Sequence, residues 1–343
     1  MAGAEHPAIP VEEQPLDPER PIIDPHLHLW DIIPGGAVMN KGGRFLFDEL
    51  RHAVDASGHN ITHSVFVECR QMYRADGPEE LRSLGETEFA NGFAAMSASG
   101  NYGPRRISHR IVGQADLRLG ERVRSVLEAH VAVAGERFRG VRPHTAYSEY
   151  GMFTAPPPEE RKGAMLEHDF QEGARVLGDM DLSLDIWCLH PQLGELIALA
   201  DAVPETLIVL DHMGTLETQG RYAGQRDEAF TEWHTAITEL ARRPNVRVKL
   251  GGVGMDLAKP GGIDKAFAPS ATIAEANRPM IESCIEAFGI HRCMFESNFP
   301  PDNDAGSYGA VWNAFKIIAA GCSEEEKDRL FRGTAADTYR IAA

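Results

Sequence analysis

Eight short apolar runs rich in β-branched residues recur along the chain and alternate with amphipathic stretches. The runs lie at 22–30, 63–70, 111–117, 138–144, 183–190, 207–214, 246–252 and 292–300. Intervening stretches such as 122–135 and 190–204 repeat apolar residues at helical spacing and end in Gly or Pro. This alternation predicts parallel strands with crossover helices. Eight such pairs favour a single-domain α/β fold, a closed (β/α)8 TIM barrel, over an open sheet, since no GxGxxG follows the first run.

Composition limits the partners and the compartment. Lys+Arg number 34 against 51 Asp+Glu, a net charge of -17, and no dense basic run suits nucleic acid or an anionic membrane. The five cysteines are scattered without CxxC spacing, which predicts neither a disulfide framework nor a thiolate metal site. We therefore expect a cytoplasmic protein, with a flexible, proline-rich arm at 1–20 before a barrel at 21–343. The composition is also compatible with a homo-oligomer.

Long segments follow four of the runs, whereas segments that precede runs are tight. The long ones are 71–85, 145–163, 215–228 and 253–272. In a TIM barrel, loops after the strands gather at the carboxyl ends, where active sites lie. The pattern therefore predicts a working face at this end, with these loops around it.

Two histidines stand one residue apart in the first run. Because side chains alternate along a strand, His26 and His28 share one face with Asp24. Each could simply bond a backbone carbonyl, but two desolvated imidazoles side by side favour a metal ion, a substrate anion or an acid partner. His190 and His212 close the fifth and sixth runs. We expect these four histidines to converge at the mouth of the barrel.

Other polar side chains fall at the same strand ends. Three are cations that predict a site for a substrate carboxylate or similar anion, unless they pair with acids inside the barrel. A tryptophan at the end of the first run is a candidate substrate contact. The cations are Arg70, Arg142 and Lys249, the acids Glu68 and Glu296, the tryptophan Trp30 and a further polar residue Asn298.

In this order and on these strands, five motifs resemble the amidohydrolase superfamily, in particular its TIM-barrel lactonases and decarboxylases related to 2-pyrone-4,6-dicarboxylate lactonase. The motifs are "DPHLHLWD", "HPQL", "VLDHMG", "VKLGG" and "RCMFESNFP". The resemblance covers nearly everything after residue 20. It implies that His26 and His28 bind a metal or the substrate, that His190 is a further ligand, and that His212 polarises the substrate or transfers a proton.

The eighth run departs from the family pattern. Members commonly carry a Gly-Ser-Asp-Trp-Pro type sequence there, whose aspartate binds metal and acts as the general base. This chain has Glu296-Ser297-Asn298-Phe299-Pro300, and an amide cannot take the proton. Glu296 and Glu68 are candidate replacements. Glu296 could instead be a buried ion-pair partner of Lys249.

These features predict a hydrolase that opens a small lactone or related cyclic ester or amide. We expect one divalent ion bound by His26, His28 and His190, with Zn²⁺ as the first candidate. Such an ion lowers the pKa of a bound water. A metal-free site in which the imidazoles polarise the carbonyl is the alternative. Two other functions stay open: a non-oxidative decarboxylase or other lyase, and a binding protein without catalysis.

Overall fold

The computed structural model describes residues 13–31, 43–152, 155, 157–255 and 268–342. Eight strands form one sheet in sequence order, and every consecutive pair is parallel. They are Ile22–Leu27 (β1), Ile61–Val67 (β2), Arg106–Gly113 (β3), Phe138–Val141 (β4), Ser183–Ile186 (β5), Ile208–Leu210 (β6), Val246–Leu250 (β7) and Cys293–Phe295 (β8). The predicted strands are confirmed.

The chain just beyond β1 and β8 closes the sheet into a barrel. The Asn298 N–H donates to the His26 carbonyl at 3.0 Å, and the His28 N–H donates to the Phe299 carbonyl at 2.8 Å. One strand begins earlier than its apolar run: β3 starts at Arg106 because its polar first half pairs with β2 across an irregular register. The predicted TIM barrel is confirmed.

One helix follows each strand. The helices are Phe47–Ser57 (α1), Leu84–Ala98 (α2), Val123–Ala134 (α3), His168–Asp179 (α4), Leu193–Ala202 (α5), Arg226–Leu240 (α6), Ser270–Phe288 (α7) and Tyr308–Ile318 (α8). In α5 the buried face consists of Leu193, Leu196, Leu199 and Ala200, which is the spacing expected of one helical stripe. Contacts between α8 and α1 complete the outer layer.

Two short helices follow, Glu324–Asp328 (α9) and Thr334–Tyr339 (α10). Residues of α10 and Ile341 share a buried apolar cluster with inward side chains of five strands. The strand members are Ile23, Val65, Val67, Val112, Val209 and Met294. The carboxyl-terminal segment therefore packs against the barrel interior and carries Tyr339, which is fully buried.

The described part of the expected arm, 13–20, contacts α8. The Leu16 N–H donates to Asn313 Oδ1 at 2.8 Å, and Lys316 Nζ donates to the carbonyls of Leu16 and Asp17, both at 2.7 Å. Residues 1–12 lie outside the described residues, so a flexible arm stays a prediction. Among the described helices, none has the length and apolar character that spanning a bilayer requires.

Candidate active site

Several residues that leave the strands at their carboxyl ends adopt a left-handed backbone. The φ angles are 63° at Arg70 after β2, 55° and 56° at His212 and Met213 after β6, and 48° at Asn298 after β8. Non-glycine residues rarely adopt this conformation, and such strain clusters at functional sites. Three of these four residues were singled out by the sequence.

The two histidines of the first strand point at each other. Their Nε2 atoms lie 3.2 Å apart, and both side chains are buried. His28 Nδ1 is 2.8 Å from the Val67 carbonyl, an acceptor, so Nδ1 carries the proton and Nε2 keeps its lone pair. Burial, assisted by the positive charge of Arg142, lowers the pKa of His28 to about 3. His28 is therefore neutral and able to act as a ligand.

Glu296 joins His26 to His212. Its Oε1 accepts from His212 Nδ1 at 2.6 Å and from the His212 N–H at 3.0 Å. Its Oε2 lies 2.8 Å from His26 Nδ1, outside regular hydrogen-bond geometry. Burial opposes ionisation of Glu296, but His212 and His26 outweigh it and hold the pKa of this carboxyl well below its usual range. Glu296 is thus an anion that is hydrogen-bonded to the His212 ring and lies within ion-pair distance of the His26 ring.

A pair of glycines makes this contact possible. A Cβ on Gly251 would lie 2.2 Å from Glu296 Cγ, and a Cβ on Gly252 would lie 2.6 Å from His212 Cβ. Real side chains do not approach so closely, and Gly252 also has a φ of 71°. The "GG" after β7 therefore leaves the space in which Glu296 and His212 meet.

Lys249 lies fully buried beneath His26. Its Nζ is 2.7 Å from Asp185 Oδ2, 3.0 Å from Asp211 Oδ1 and 3.2 Å from His26 Nδ1. Tyr339 donates to the same Asp185 oxygen at 2.6 Å. Burial works against the ammonium, but Asp185 and Asp211 outweigh it and raise the pKa of Lys249. Lys249 is therefore a buried cation in contact with His26. Its ion-pair partners are Asp185 and Asp211, and not Glu296.

Glu68 and Arg142, both buried, form a second network with the half-buried His144. Arg142 Nε donates to Glu68 Oε1 at 2.9 Å, Arg142 Nη2 donates to the Glu68 carbonyl at 2.5 Å, and His144 Nε2 is 2.9 Å from Glu68 Oε2. Arg142 Nη1 also lies 3.2 Å from His26 Nε2. Burial opposes ionisation of Glu68, but His144 and Arg142 hold its pKa well below the usual range. Arg70 is exposed, and its guanidinium contacts the His144 ring at 3.3 Å.

Asn298 is paired with a carboxylate. Its Nδ2 donates to Asp302 Oδ1 at 2.9 Å, while the Val253 N–H donates to Asp302 Oδ2 at 2.7 Å. Both side chains are buried. The amide of the eighth run is thus held by an acid four residues further along the chain.

Two further candidates, His190 and Trp30, have contacts of their own. His190 accepts from the Glu217 N–H at 2.9 Å through Nδ1, and its ring packs against Tyr222. His190 is not among the described residues whose ligand atoms cluster around His26. Trp30 is almost fully buried, donates to the Gly43 carbonyl at 3.0 Å and stacks beside His28 with centroids 6.3 Å apart.

A divalent ion fits the donors of this site. The 3.2 Å between the Nε2 atoms of His26 and His28 is close to the roughly 3.3 Å edge of a tetrahedron with Zn–N bonds of about 2.05 Å. Ligand atoms of His26, Asp211 and His212 also lie within 4.8 Å of one another. Both buried oxygens of Asp211 lack a regular hydrogen bond among the described residues. Asp211 is ion-paired with Lys249 at 3.0 Å, and neutral imidazoles and a carboxylate are ligands that Zn²⁺ accepts.

Sequence reasoning missed four residues of these networks. Asp211 directly precedes His212, and Asp185 lies within the fifth run, so an acid inside a buried strand was the available signal. Asp302 lies beyond the eighth run, in the turn that follows it. Tyr339 gave no local signal, because its contact with Asp185 depends on how the carboxyl-terminal helix packs.

Fold and site together define a (β/α)8-barrel enzyme with histidines and carboxylates at the strand ends. The Amidohydrolase family profile matches residues 23–341, so the chain belongs to the amidohydrolase family. It is 32% identical over 333 residues to the uncharacterized protein y4mH of Sinorhizobium fredii, covering 93% of this chain and 98% of the relative.

Two further similarities concern proteins with a printed activity or ligand. L-fucono-1,5-lactonase of Burkholderia ambifaria is 28% identical over 210 residues, which span 60% of this chain and 62% of that enzyme. A crystal structure of an amidohydrolase from Burkholderia multivorans with bound zinc superimposes with a TM-score of 0.69 at 25% identity, covering 94% of this chain and 99% of that one.

Proposed function

We propose that this protein is a lactonase that hydrolyses a small cyclic ester with the help of one divalent metal ion. The observation that carries the proposal is the His26–Glu296–His212 arrangement, in which one anion orients two imidazoles at the mouth of the barrel. The similarity to L-fucono-1,5-lactonase supports a lactone as the substrate.

A divalent ion would be held by side chains at the strand ends. His26 and His28 would hold it through their Nε2 atoms, and Asp211, whose ligand atoms group with those of His26 and His212, is a candidate third ligand. When bound, such an ion polarises a carbonyl and lowers the pKa of a bound water. The zinc in the similar Burkholderia multivorans structure supports this choice of metal. Arg142 Nη1 now donates toward the same His26 lone pair, so the guanidinium must give way to the ion.

The proton transfers fall to His212. Because Nδ1 is bonded to Glu296, its other ring nitrogen is the one that can take a proton from the attacking water. Glu296 holds the ring in that tautomer and stabilises the imidazolium that forms. The water oxygen bonds to the carbonyl carbon, the ring C–O bond breaks, and His212 returns the proton to the leaving oxygen. The product is the open hydroxy acid.

Among the three predicted anion-binding cations, Arg70 is the best placed to meet a substrate. Arg142 and Lys249 are buried and paired with carboxylates, whereas Arg70 is exposed and contacts the His144 ring. We therefore assign a polar or anionic substituent of the substrate to Arg70.

The test is a panel of five- and six-membered sugar lactones with and without a carboxylate, with acid release followed by a pH indicator. His212→Asn is the informative variant, since Asn tolerates the left-handed φ of 55° at this position. We expect its kcat to fall about 10²- to 10⁴-fold. The control His234→Asn changes an exposed histidine on α6 and should retain activity.

Two results would contradict the proposal. One is lactone opening that His212→Asn leaves intact. The other is release of CO₂ from an aryl carboxylate without any lactone opening, which would identify a decarboxylase instead.

A further inference from the structure

Asn298 and Asp302 form a hydrogen-bonded pair with a single consistent orientation. Burial raises the pKa of Asp302 to about 7, and above that pH its carboxylate can only accept, so Asn298 must offer Nδ2 to Asp302 Oδ1, at 2.9 Å. The second oxygen of Asp302 is taken by the Val253 N–H at 2.7 Å. Both carboxylate oxygens are therefore used, and the amide cannot turn over without placing oxygen against oxygen.

This orientation leaves Asn298 Oδ1 as a neutral acceptor. Among the described residues, none donates a hydrogen bond to it. The Asn298 N–H bonds to the His26 carbonyl, which places residue 298 directly beside the histidine pair. Val253, the other donor to Asp302, follows Gly252, which packs on His212. The Asn298–Asp302 pair is thus attached to His26 on one side and to the segment after β7, which packs on His212, on the other.

We propose that Asp302 is a positioning residue, which holds Asn298 so that its amide oxygen accepts a hydrogen bond from the attacking water. This inference rests on the proposed hydrolysis. Asn298 Oδ1 orients the water while His212 takes its proton. Asp302 itself contacts neither substrate nor water and acts only through the amide.

Hydrogen-bond accounting predicts how the pair responds to substitution. In Asp302→Asn, the new side chain must keep its oxygen for the Val253 N–H, so its NH₂ faces the Asn298 NH₂ and forces that amide to turn. In Asn298→Asp, two carboxyl groups meet 2.9 Å apart, so one of them keeps a proton and the neutral amide acceptor is lost. The exchanged pair, Asn298→Asp with Asp302→Asn, satisfies every bond again. Its new amide at position 302 can donate to the new carboxylate at position 298 and still accept from the Val253 N–H.

The experiment compares the two single variants, the exchanged pair and Asn298→Ala. We expect Asn298→Ala and Asp302→Asn each to lower kcat about 10- to 100-fold with KM within threefold, because water rather than substrate is misplaced. The kcat of the exchanged pair should be at least tenfold higher than that of either single variant. Its unfolding equilibrium constant should return to within about tenfold of the wild-type value. Asp337→Asn, an exposed acid paired with Arg329, controls for loss of one charge.

A purely structural role for Asp302 predicts a different pattern. Asp302→Asn would then promote unfolding but leave kcat of the folded enzyme within threefold, and this result overturns the inference. Independent effects of the two single variants on unfolding would also overturn it, since they would show that the side chains are not bonded. That measurement needs no substrate, so it decides the pairing even if no lactone is opened and the proposed function fails.

Discussion

Glu296→Gln tests the central contact of the site. The substitution keeps the volume of the side chain and one oxygen, which can go on accepting from His212 Nδ1 and from the His212 N–H. The new NH₂ group then faces His26 Nδ1, which must become an acceptor. The proton moves to His26 Nε2, where it occupies the lone pair that faces His28 at 3.2 Å.

Two losses follow from this change. A hydrogen bond to a charged group contributes about 1.5–3 kcal/mol, so weaker support of the His212 imidazolium should cost about 10- to 150-fold in kcat. The wrong His26 tautomer should cost about 10- to 100-fold in zinc affinity, as replacement of a carboxylate that orients a ligand histidine does. Zinc affinity is measured by competition with a chromophoric chelator, and kcat on the best lactone of the panel.

The control is Asp201→Asn, which makes the same chemical change in an exposed ion pair with Arg243. It should leave both quantities unchanged. If Glu296→Gln retains zinc affinity and kcat within threefold of wild type, Glu296 does not orient the two imidazoles and the reasoning is refuted.

Three further predictions concern packing and pH. Gly251→Ala places a methyl group 2.2 Å from Glu296 Cγ and should destabilise the fold by about 1–3 kcal/mol with loss of activity; unchanged urea unfolding would contradict this. Lys249→Met leaves Asp185 without its buried cation and should cost about 3–5 kcal/mol by the same assay. Glu86 lies buried in the first turn of α2 and accepts from the N–H groups of Cys69 and Gln71. Burial, with the charge of Glu68 added, raises its pKa from the ordinary 4.5 to about 8, so the native state favours the protonated acid and wild-type stability is lost as pH rises through this range. Glu86→Gln escapes that loss, and its stability relative to wild type should increase from about pH 4.5 to 8 and then level off; a pH-independent difference would count against it.

The periodicity of the sequence was sufficient for the fold. All eight strands overlap their apolar runs because parallel strands are buried on both faces and must be apolar along their length. The early start of β3 at Arg106 was not predicted. The first half of this strand is polar and pairs with β2 through backbone hydrogen bonds, which a hydrophobic pattern cannot predict.

Local alternation correctly placed His26 beside His28 but was wrong for Asp24. The register of β1 is irregular between Asp24 and Leu27, so Asp24 lies on the other face and accepts from Ser297 and Tyr308. His26 and His28 meet because they are two residues apart on one strand, and His212 joins them because its strand ends at the same face.

Lys249 shows what the sequence could not supply. Its residue type allowed either a substrate anion site or a buried ion pair, for which Glu296 was the candidate, and the actual partners, Asp185 and Asp211, are distant in sequence. The position of His190 likewise depends on the loop that carries Glu217.

The closure of the barrel by β1 and β8 also determines when the site can form during synthesis. Asp24 accepts from Ser297 Oγ at 2.6 Å across 273 positions of the chain. During synthesis the histidine pair therefore emerges from the ribosome long before the segment that supplies Glu296 and Asn298. Until β8 is made, one edge of β1 has no partner strand. Contacts of such long range slow folding and prolong exposure to aggregation. A nascent chain lacking β8 would carry both histidines without Glu296 to orient them, so high-affinity zinc binding should report that the whole barrel has closed.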